Sequence, residues 1–301
     1  PPPLFFFKQK TAYAILSGLV GSEMCKRDSS IGEEKLIRVS NSVSLRIFIW
    51  EPINQSSKVP ILMVPGWGSV FEGWRPIVTE WVQNRKIIYV ETREKASAVF
   101  DKKMNQKDFH IDNFTDDIRE IIQSLNLDGN YHLFSSSLGS TILIHGLQER
   151  KISAKSSIFL APNQNIRFPL WARLLIKLPL PKFTLKWLIK LAIWAVERKV
   201  EEEGQKIRYR RTLLSQNYER IRFSARYLMG YSLPESLSNI EIPCAILTAK
   251  SDKLHGMDDV EFISREIPNM KIIPIPSNQY AHQPEALNEI ESFYSNMELD
   301  E

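Results

Sequence analysis

The chain has 301 residues, of which 43% are hydrophobic and 25% are charged, and its net charge is +4. This composition is that of a globular protein and excludes a largely disordered chain, and the small net charge argues against binding to nucleic acid. Two cysteines, Cys25 and Cys244, cannot form a disulfide framework, and no cysteine and histidine cluster has metal-ligand spacing. We therefore expect no metal and a reducing or indifferent compartment, namely the cytoplasm, with peripheral contact to a membrane left open.

The first thirty residues form an unusual segment. Three phenylalanines precede its first lysines, and an apolar stretch follows over 11–21. A secretory signal carries its positive charge first, so this order argues against one. The pieces KQKTAY at 8–13 and LVGSEMCKRDS at 19–29 resemble translated sequencing-adapter sequence. We interpret residues 1–30 as such an artefact, with a genuine signal anchor as the alternative, and exclude them from arguments about fold and location.

Seven apolar or alternating runs after residue 31 predict strands. The first, 36–50, alternates and predicts an antiparallel hairpin, whereas the six continuous runs predict strands covered on both faces. These six runs span 59–66, 86–92, 131–136, 156–162, 242–249 and 270–277. Helical spacing of apolar residues falls between them, at 73–83, 113–127, 138–149, 258–266 and 284–297. The alternation predicts an α/β protein with a mostly parallel sheet flanked by helices.

The alternating pattern is interrupted over 163–236, where no strand-like run occurs. Helices are predicted instead at 170–178, at 182–199 and, with breaks, at 205–231. We interpret 163–236 as an all-helical lid inserted into an α/β core made of 31–162 and 237–301.

A run of three serines, FSSSLGS at 134–140, joins a predicted buried strand to a predicted helix. A nucleophile at such a sharp turn needs small residues two positions before and two after it, because strand and helix nearly touch. Only Ser137, between Ser135 and Gly139, meets this condition, since the corresponding neighbours of Ser136 are a phenylalanine and a leucine. The alternative is that all three serines are ordinary turn residues.

The SxSxG stretch resembles the nucleophile elbow of the α/β-hydrolase fold superfamily, in which GxSxG is usual. The resemblance covers 36–162 and 237–297 and implies an eight-stranded, mostly parallel sheet. It also implies a triad in the order nucleophile, acid, histidine. Asp252, in KSDKLHG, and His282, in QYAHQPEAL, follow the last two predicted strands and match the acid and the base. Asp252 as a helix or turn cap and His282 as a surface residue remain the alternatives.

MVPGWGS at 63–69 resembles the HGxG turn of the same superfamily. The resemblance implies an oxyanion hole made by the backbone N–H groups of Trp67 and Leu138, with Gly66 and Gly68 lining the substrate site. The alternative is a tight turn with no further role.

Three more side chains are candidates for contact with substrate, namely Trp171, Trp187 and His255. Asn163 stands at the superfamily's alternative acid position, but an amide cannot supply a charge. The remaining histidines, His110, His132 and His145, we expect to be structural.

These features predict a serine hydrolase that cleaves carboxylic esters, including lipid or monoacylglycerol-like esters, and that needs no cofactor. A thioesterase, an acyltransferase and a carbon–carbon bond hydrolase on the same fold are the alternatives. A catalytically silent binding or scaffold protein is a further one.

The predicted lid concentrates the positive charge of the chain. Residues 163–236 hold 15 Lys and Arg against 6 Asp and Glu, a net charge of +9, which leaves −5 for the rest. Lys182, Lys186 and Lys190 recur along one helix, and lysines in mid-helix argue against a transmembrane segment. A solvated lysine stripe, a helix lying on an anionic membrane and steering of anionic substrates all stay open.

Overall fold

The computed structural model describes residues 32–168, 170–178, 182–200, 202–249 and 257–299. The segment interpreted as an artefact, 1–30, lies outside the described residues, as does the loop at 250–256.

Nine strands of the described residues form a single sheet. Their bounds are β1 Gly32–Ser40, β2 Val43–Trp50, β3 Ile61–Val64, β4 Ile87–Val90, β5 Val99–Phe100, β6 His132–Ser136, β7 Ser156–Leu160, β8 Cys244–Thr248 and β9 Met270–Pro274. The order is β1-β2-β4-β3-β6-β7-β8-β9, with β5 beside β2. Pairs that involve β2 are antiparallel, and the pairs from β4 to β9 along this path are parallel. The predicted α/β class is confirmed, with nine strands instead of eight because of the two-residue β5.

Nine helices of the described residues accompany the sheet. Their bounds are α1 Arg75–Trp81, α2 Ile111–Ser124, α3 Leu138–Gln148, α4 Leu170–Lys177, α5 Lys182–Lys199, α6 Glu203–Leu214, α7 Tyr218–Leu228, α8 Met257–Glu266 and α9 Leu287–Leu299. Helices α4 to α7 lie between β7 and β8 and form what we call the helical insertion, residues 163–236. Its described part contains one isolated bridge, between Asn165 and Ser232, and no strand.

The core lies on both faces of the sheet. Every residue of β3, β4, β6 and β7 is buried, which explains why these strands read as continuous apolar runs. One face packs against α2, α3 and α8, and the other against α1 and α9. Each large apolar side chain removed from water in this way contributes about 1.5–3 kcal/mol. The parallel strands are thereby fixed with their carboxyl ends at one edge, where ligands bind in open α/β sheets.

Candidate active site

Ser137 occupies a strained turn between β6 and α3. Its backbone has φ 47° and ψ −116°, a region that residues other than glycine rarely adopt. Such a conformation costs about 1–3 kcal/mol, so the surroundings must hold it in place. One contact that stabilises this conformation is the hydrogen bond from the Ser137 N–H to the carbonyl oxygen of Leu160 in β7, at 2.9 Å. Ser135 and Ser136 have no such backbone strain, which distinguishes Ser137 from the two serines before it.

The residues around Ser137 are small because the turn is crowded. A Cβ placed on Gly139 would lie 2.1 Å from the carbonyl oxygen of Val64 at the end of β3. Ser135, which stands where the superfamily usually has glycine, is fully buried, and its hydroxyl lies 3.1 Å from that of Ser140. The extra hydroxymethyl group is therefore accommodated by a polar partner, and the spacing argument from the sequence agrees with the geometry.

Asn163 lies beside Ser137. Its side-chain amide donates to Ser137 Oγ at 3.2 Å, and its backbone carbonyl oxygen accepts from Thr141 Oγ1 at 3.1 Å. The sequence analysis set Asn163 aside because an amide carries no charge. Asn163 follows β7, which pairs with β6, and this position in the sequence could have indicated that it lies close to Ser137. In the structure it makes a polar contact to the Ser137 hydroxyl.

The segment after β3, residues 65–69, which we call the oxyanion turn, passes directly over Ser137. A Cβ on Gly66 would lie 3.2 Å from Ser137 Cβ, and Gly68 has a φ of 61°. Among the described residues no group accepts a hydrogen bond from the N–H of Trp67 or of Leu138. Both predicted donors are therefore available for an oxygen bound beside Ser137.

Two hydrogen bonds attach the helical insertion to the oxyanion turn. The indole Nε1 of Trp67 donates to Ser224 Oγ in α7 at 2.9 Å. The side-chain amide of Gln216, between α6 and α7, donates to the carbonyl oxygen of Gly68 at 2.6 Å. The insertion thus contacts the turn that supplies one of the predicted oxyanion donors.

A buried polar network lies on the other side of the oxyanion turn. The Lys95 ammonium donates to Gly66 O at 3.3 Å, to Thr92 Oγ1 at 2.7 Å and to Glu94 Oε1 at 3.0 Å. The same Glu94 oxygen accepts from the Gly68 N–H at 3.1 Å. Glu94 and Lys95 are almost fully buried, so they fix both glycines of the turn from within the protein. Sequence analysis missed this network, since nothing in ETREKAS shows which way these side chains turn.

His282 is buried, which excludes the alternative of a surface histidine. Its Nδ1 lies 3.1 Å from the carbonyl oxygen of Gly73, and its ring lies 3.8 Å from the ring of Trp74, centroid to centroid. Because a carbonyl can only accept, Nδ1 carries the proton in the neutral ring. The lone pair is then on Nε2, the tautomer that a general base needs.

Burial lowers the pKa of His282 well below its ordinary value of 6.5, and the positive charge of Arg208 lowers it further, whereas the bond to Gly73 raises it. Arg208, in α6, donates to the side-chain oxygens of Asn278 and Gln279, just before His282. The imidazole is therefore neutral at neutral pH and able to accept a proton.

One short stretch of chain, residues 66–74, contacts both Ser137 and His282. Gly66 contacts Ser137 at one end of it, and Gly73 and Trp74 contact His282 at the other. Both residues follow strands whose carboxyl ends meet at the same edge of the sheet. The predicted acid Asp252 and the candidate substrate contact His255 fall in 250–256, outside the described residues, and stay predictions.

Comparison with solved structures places this arrangement in a known fold. No protein-family model matches the chain, and no curated protein matches it in sequence. A putative lipase from Acinetobacter baumannii matches with a TM-score of 0.68 at 14% identity over 94% of this chain and 97% of its own. A 2-hydroxy-6-oxo-6-phenylhexa-2,4-dienoate hydrolase from a Rhodococcus strain matches with 0.68 at 11% identity over 89% and 100%. A thermophilic esterase from Thermogutta terrifontis matches with 0.66 at 15% identity over 89% and 99%.

The chain has the α/β-hydrolase fold. Within it, Ser137 lies at the turn between β6 and α3. The three similar proteins are named for different activities, and a shared fold does not determine a substrate.

Two tryptophans predicted to contact substrate are exposed to solvent, one partly and one largely. Trp171 in α4 is 43% exposed and Trp187 in α5 is 71% exposed. Their contact with substrate stays a prediction, and their exposure requires another explanation.

His132 and His145 have structural partners, as expected. His132 is fully buried, with Nε2 lying 3.2 Å from Glu298 Oε1 and Nδ1 lying 2.8 Å from Ser156 Oγ. A carboxylate can only accept, so Nε2 carries the proton and the Ser156 hydroxyl donates to Nδ1. His145 lies between Asp112 and Tyr231. In the described ranges no group of three His, Cys, Asp or Glu could hold a metal ion.

Proposed function

We propose that this α/β-hydrolase-fold protein is a serine hydrolase that cleaves carboxylic esters, with Ser137 as nucleophile. The observation that carries the proposal is the strained backbone of Ser137 at φ 47°, in a turn where no described residue accepts a hydrogen bond from the N–H of Trp67 or of Leu138. The buried imidazole of His282 is the proposed base. Strain of this kind persists only where the surroundings enforce it, and it concentrates at sites of reaction. The apolar helical insertion favours an ester with an acyl chain, such as a monoacylglycerol-like lipid.

In the proposed mechanism Ser137 Oγ attacks the ester carbonyl while Nε2 of His282 takes its proton. The N–H groups of Trp67 and Leu138 stabilise the negative oxygen of the tetrahedral intermediate, and one such donor typically contributes about 3–4 kcal/mol. His282 then protonates the leaving alcohol. Water, activated by the same imidazole, hydrolyses the acyl-enzyme and restores the Ser137 hydroxyl.

Asp252 is the proposed acid of the triad. A carboxylate close to the His282 ring would stabilise the imidazolium formed during each step, and it would share or replace the Gly73 carbonyl as acceptor of the Nδ1–H. The loop that carries it follows β8, at the same edge of the sheet as Ser137. Asn163, which donates to Ser137 Oγ, is proposed to orient the hydroxyl in the resting enzyme.

A fluorophosphonate probe tests the nucleophile directly. Wild type should be labelled and Ser137→Ala should not, and kcat on p-nitrophenyl butyrate should fall by about 10⁴-fold or more. Ser136→Ala is the matched control, since it removes the neighbouring hydroxyl and should keep labelling and turnover. Labelling that persists in folded Ser137→Ala would refute the assignment.

A panel of p-nitrophenyl esters of increasing acyl length, together with acyl thioesters, tests the substrate class. We expect turnover of the oxygen esters to rise with chain length before solubility limits it. Folded wild-type protein that takes no label and cleaves no ester would favour the silent binding protein.

A further inference from the structure

The exposed apolar side chains of the protein are concentrated in the helical insertion. The described residues include fourteen large hydrophobic side chains that are exposed, and nine of them lie in residues 163–236. These nine are Leu170, Trp171, Leu174, Leu178, Trp187, Leu191, Trp194, Ile207 and Leu214. The insertion is about a quarter of the chain, so this is far more than an even distribution would give it. Concentrated exposure of this kind marks an interaction surface.

Helix α5 shows how the surface is built. Trp187, Leu191 and Trp194 recur at spacings of four and three, which places them on one face, and they are 71%, 42% and 50% exposed. We call this face, with the cations described next, the α5 outer face. A solvated lysine stripe was one interpretation of this helix from the sequence, and the structure exposes two indole rings and a leucine on it.

Cations lie directly against these indoles. The Lys190 ammonium is 5.2 Å from the centre of the Trp187 ring, and the Arg198 guanidinium is 4.1 Å from that of Trp194. A basic side chain over each exposed tryptophan is the composition of helices that lie in the interface of a membrane, where the ring enters the headgroup layer and the cation meets lipid phosphate.

The distribution of charge decides the class of partner. The insertion carries a net charge of +9 and the rest of the chain −5, so the basic part is confined to the side that exposes the apolar residues. A second copy docked symmetrically would bring two such positive surfaces together, which is unfavourable. None of the described helices combines the length and apolar character needed to cross a bilayer.

We propose that the α5 outer face binds the surface of membranes that contain anionic lipids. The indoles and Leu191 enter the interface, while Lys190 and Arg198 bind negatively charged headgroups. The inference concerns a site of attachment and does not depend on the proposed ester hydrolysis.

The experiment measures binding of the full chain to vesicles, using Ser137→Ala so that turnover cannot alter the lipid. Phosphatidylcholine vesicles with about 30% phosphatidylglycerol should bind the protein at least about tenfold more tightly than vesicles of phosphatidylcholine alone. The triple variant Trp187→Ser/Leu191→Ser/Trp194→Ser should lose binding to both kinds of vesicle. Lys190→Gln/Arg198→Gln should lose most of the preference for anionic lipid.

The matched control is Leu36→Ser/Ile272→Ser, which removes two side chains of similar exposure outside the insertion and should bind as before. Circular dichroism and thermal unfolding confirm that each variant is folded. Absence of binding, equal affinity for neutral and anionic vesicles, or undiminished binding by the folded triple variant would each overturn the proposal. So would a dimer in sedimentation equilibrium that the triple variant abolishes, because the face would then be a contact between copies.

Discussion

Gly139 leaves no space for a side chain where α3 departs from the elbow. A methyl group there would lie 2.1 Å from the carbonyl oxygen of Val64, and neither backbone can move without displacing Ser137 or β3. We predict that Gly139→Ala lowers the free energy of unfolding by about 3 kcal/mol or more, measured by urea denaturation. Gly230→Ala is the control, because its nearest contact would be at an ordinary 3.8 Å. Equal stability of the two variants would contradict the crowded geometry.

The pKa of His282 is open to a kinetic test. Only the neutral imidazole can act as a base, so activity is lost as the pH falls through its pKa, and the acidic limb of kcat/KM should lie below pH 6.5. Arg208→Gln removes a positive charge and should raise that pKa, moving the limb to higher pH. Arg208→Lys retains the charge and should leave the limb near that of wild type. A limb that stays in place or moves to lower pH in Arg208→Gln would contradict this role.

At the scale of elements, the oxyanion turn depends on a buried ion pair. Lys95→Met removes the bond to Gly66 O and leaves the Glu94 carboxylate buried without its cation. We predict a loss of about 3 kcal/mol in the free energy of unfolding. We also predict a fall in kcat of about tenfold or more with little change in KM, because the turn acts on the transition state.

The double variant Lys95→Met/Glu94→Gln distinguishes the cost of an unpaired Glu94 carboxylate from the loss of the Lys95 contact that positions the oxyanion turn. It removes the unpaired carboxylate and should recover part of the lost stability without restoring kcat. Lys103→Met, at an exposed position, is the control for loss of a lysine. Urea unfolding and steady-state kinetics measure both effects. A kcat unchanged in Lys95→Met would show that the network does not position the turn.

Most elements were predictable from the sequence because burial on both faces of a parallel strand leaves a continuous apolar run. Strand β5 was not, since two residues carry no pattern and its pairing with β2 is a tertiary contact. In the site, Ser137 could be selected from the three serines because a crowded turn requires small residues two positions before and after the central one. Asn163 and Lys95 act through contacts 26 and 29 residues away along the chain, which no local spacing reveals.

At the scale of the whole molecule, a buried histidine couples stability to pH. Burial lowers the pKa of His132 from 6.5 to about 4. Between these values the unfolded chain binds more protons than the folded one, so stability is full above pH 6.5 and declines as the pH falls toward 4. The loss attributable to this residue is at most about 3 kcal/mol.

His132→Gln should therefore show a smaller difference in unfolding free energy between pH 7 and pH 4.5 than wild type does, measured by urea denaturation. Its stability at pH 7 should be lower, because the contacts to Glu298 and Ser156 are lost. His110→Gln, which removes a half-exposed histidine, should retain the wild-type pH dependence. Identical pH dependence in His132→Gln and wild type would contradict the assignment.

The two hydrogen bonds from Trp67 and Gln216 couple the position of the insertion to that of the oxyanion turn. If the insertion swings away to admit an acyl chain, it must break these bonds or drag the turn with it. If the turn moves, the proposed backbone donor at Trp67 moves with it. If the bonds break instead, the turn retains only its support from Glu94 and Lys95. Under the proposed function, movement of the insertion would therefore alter the support of the oxyanion turn and couple substrate entry to the reaction.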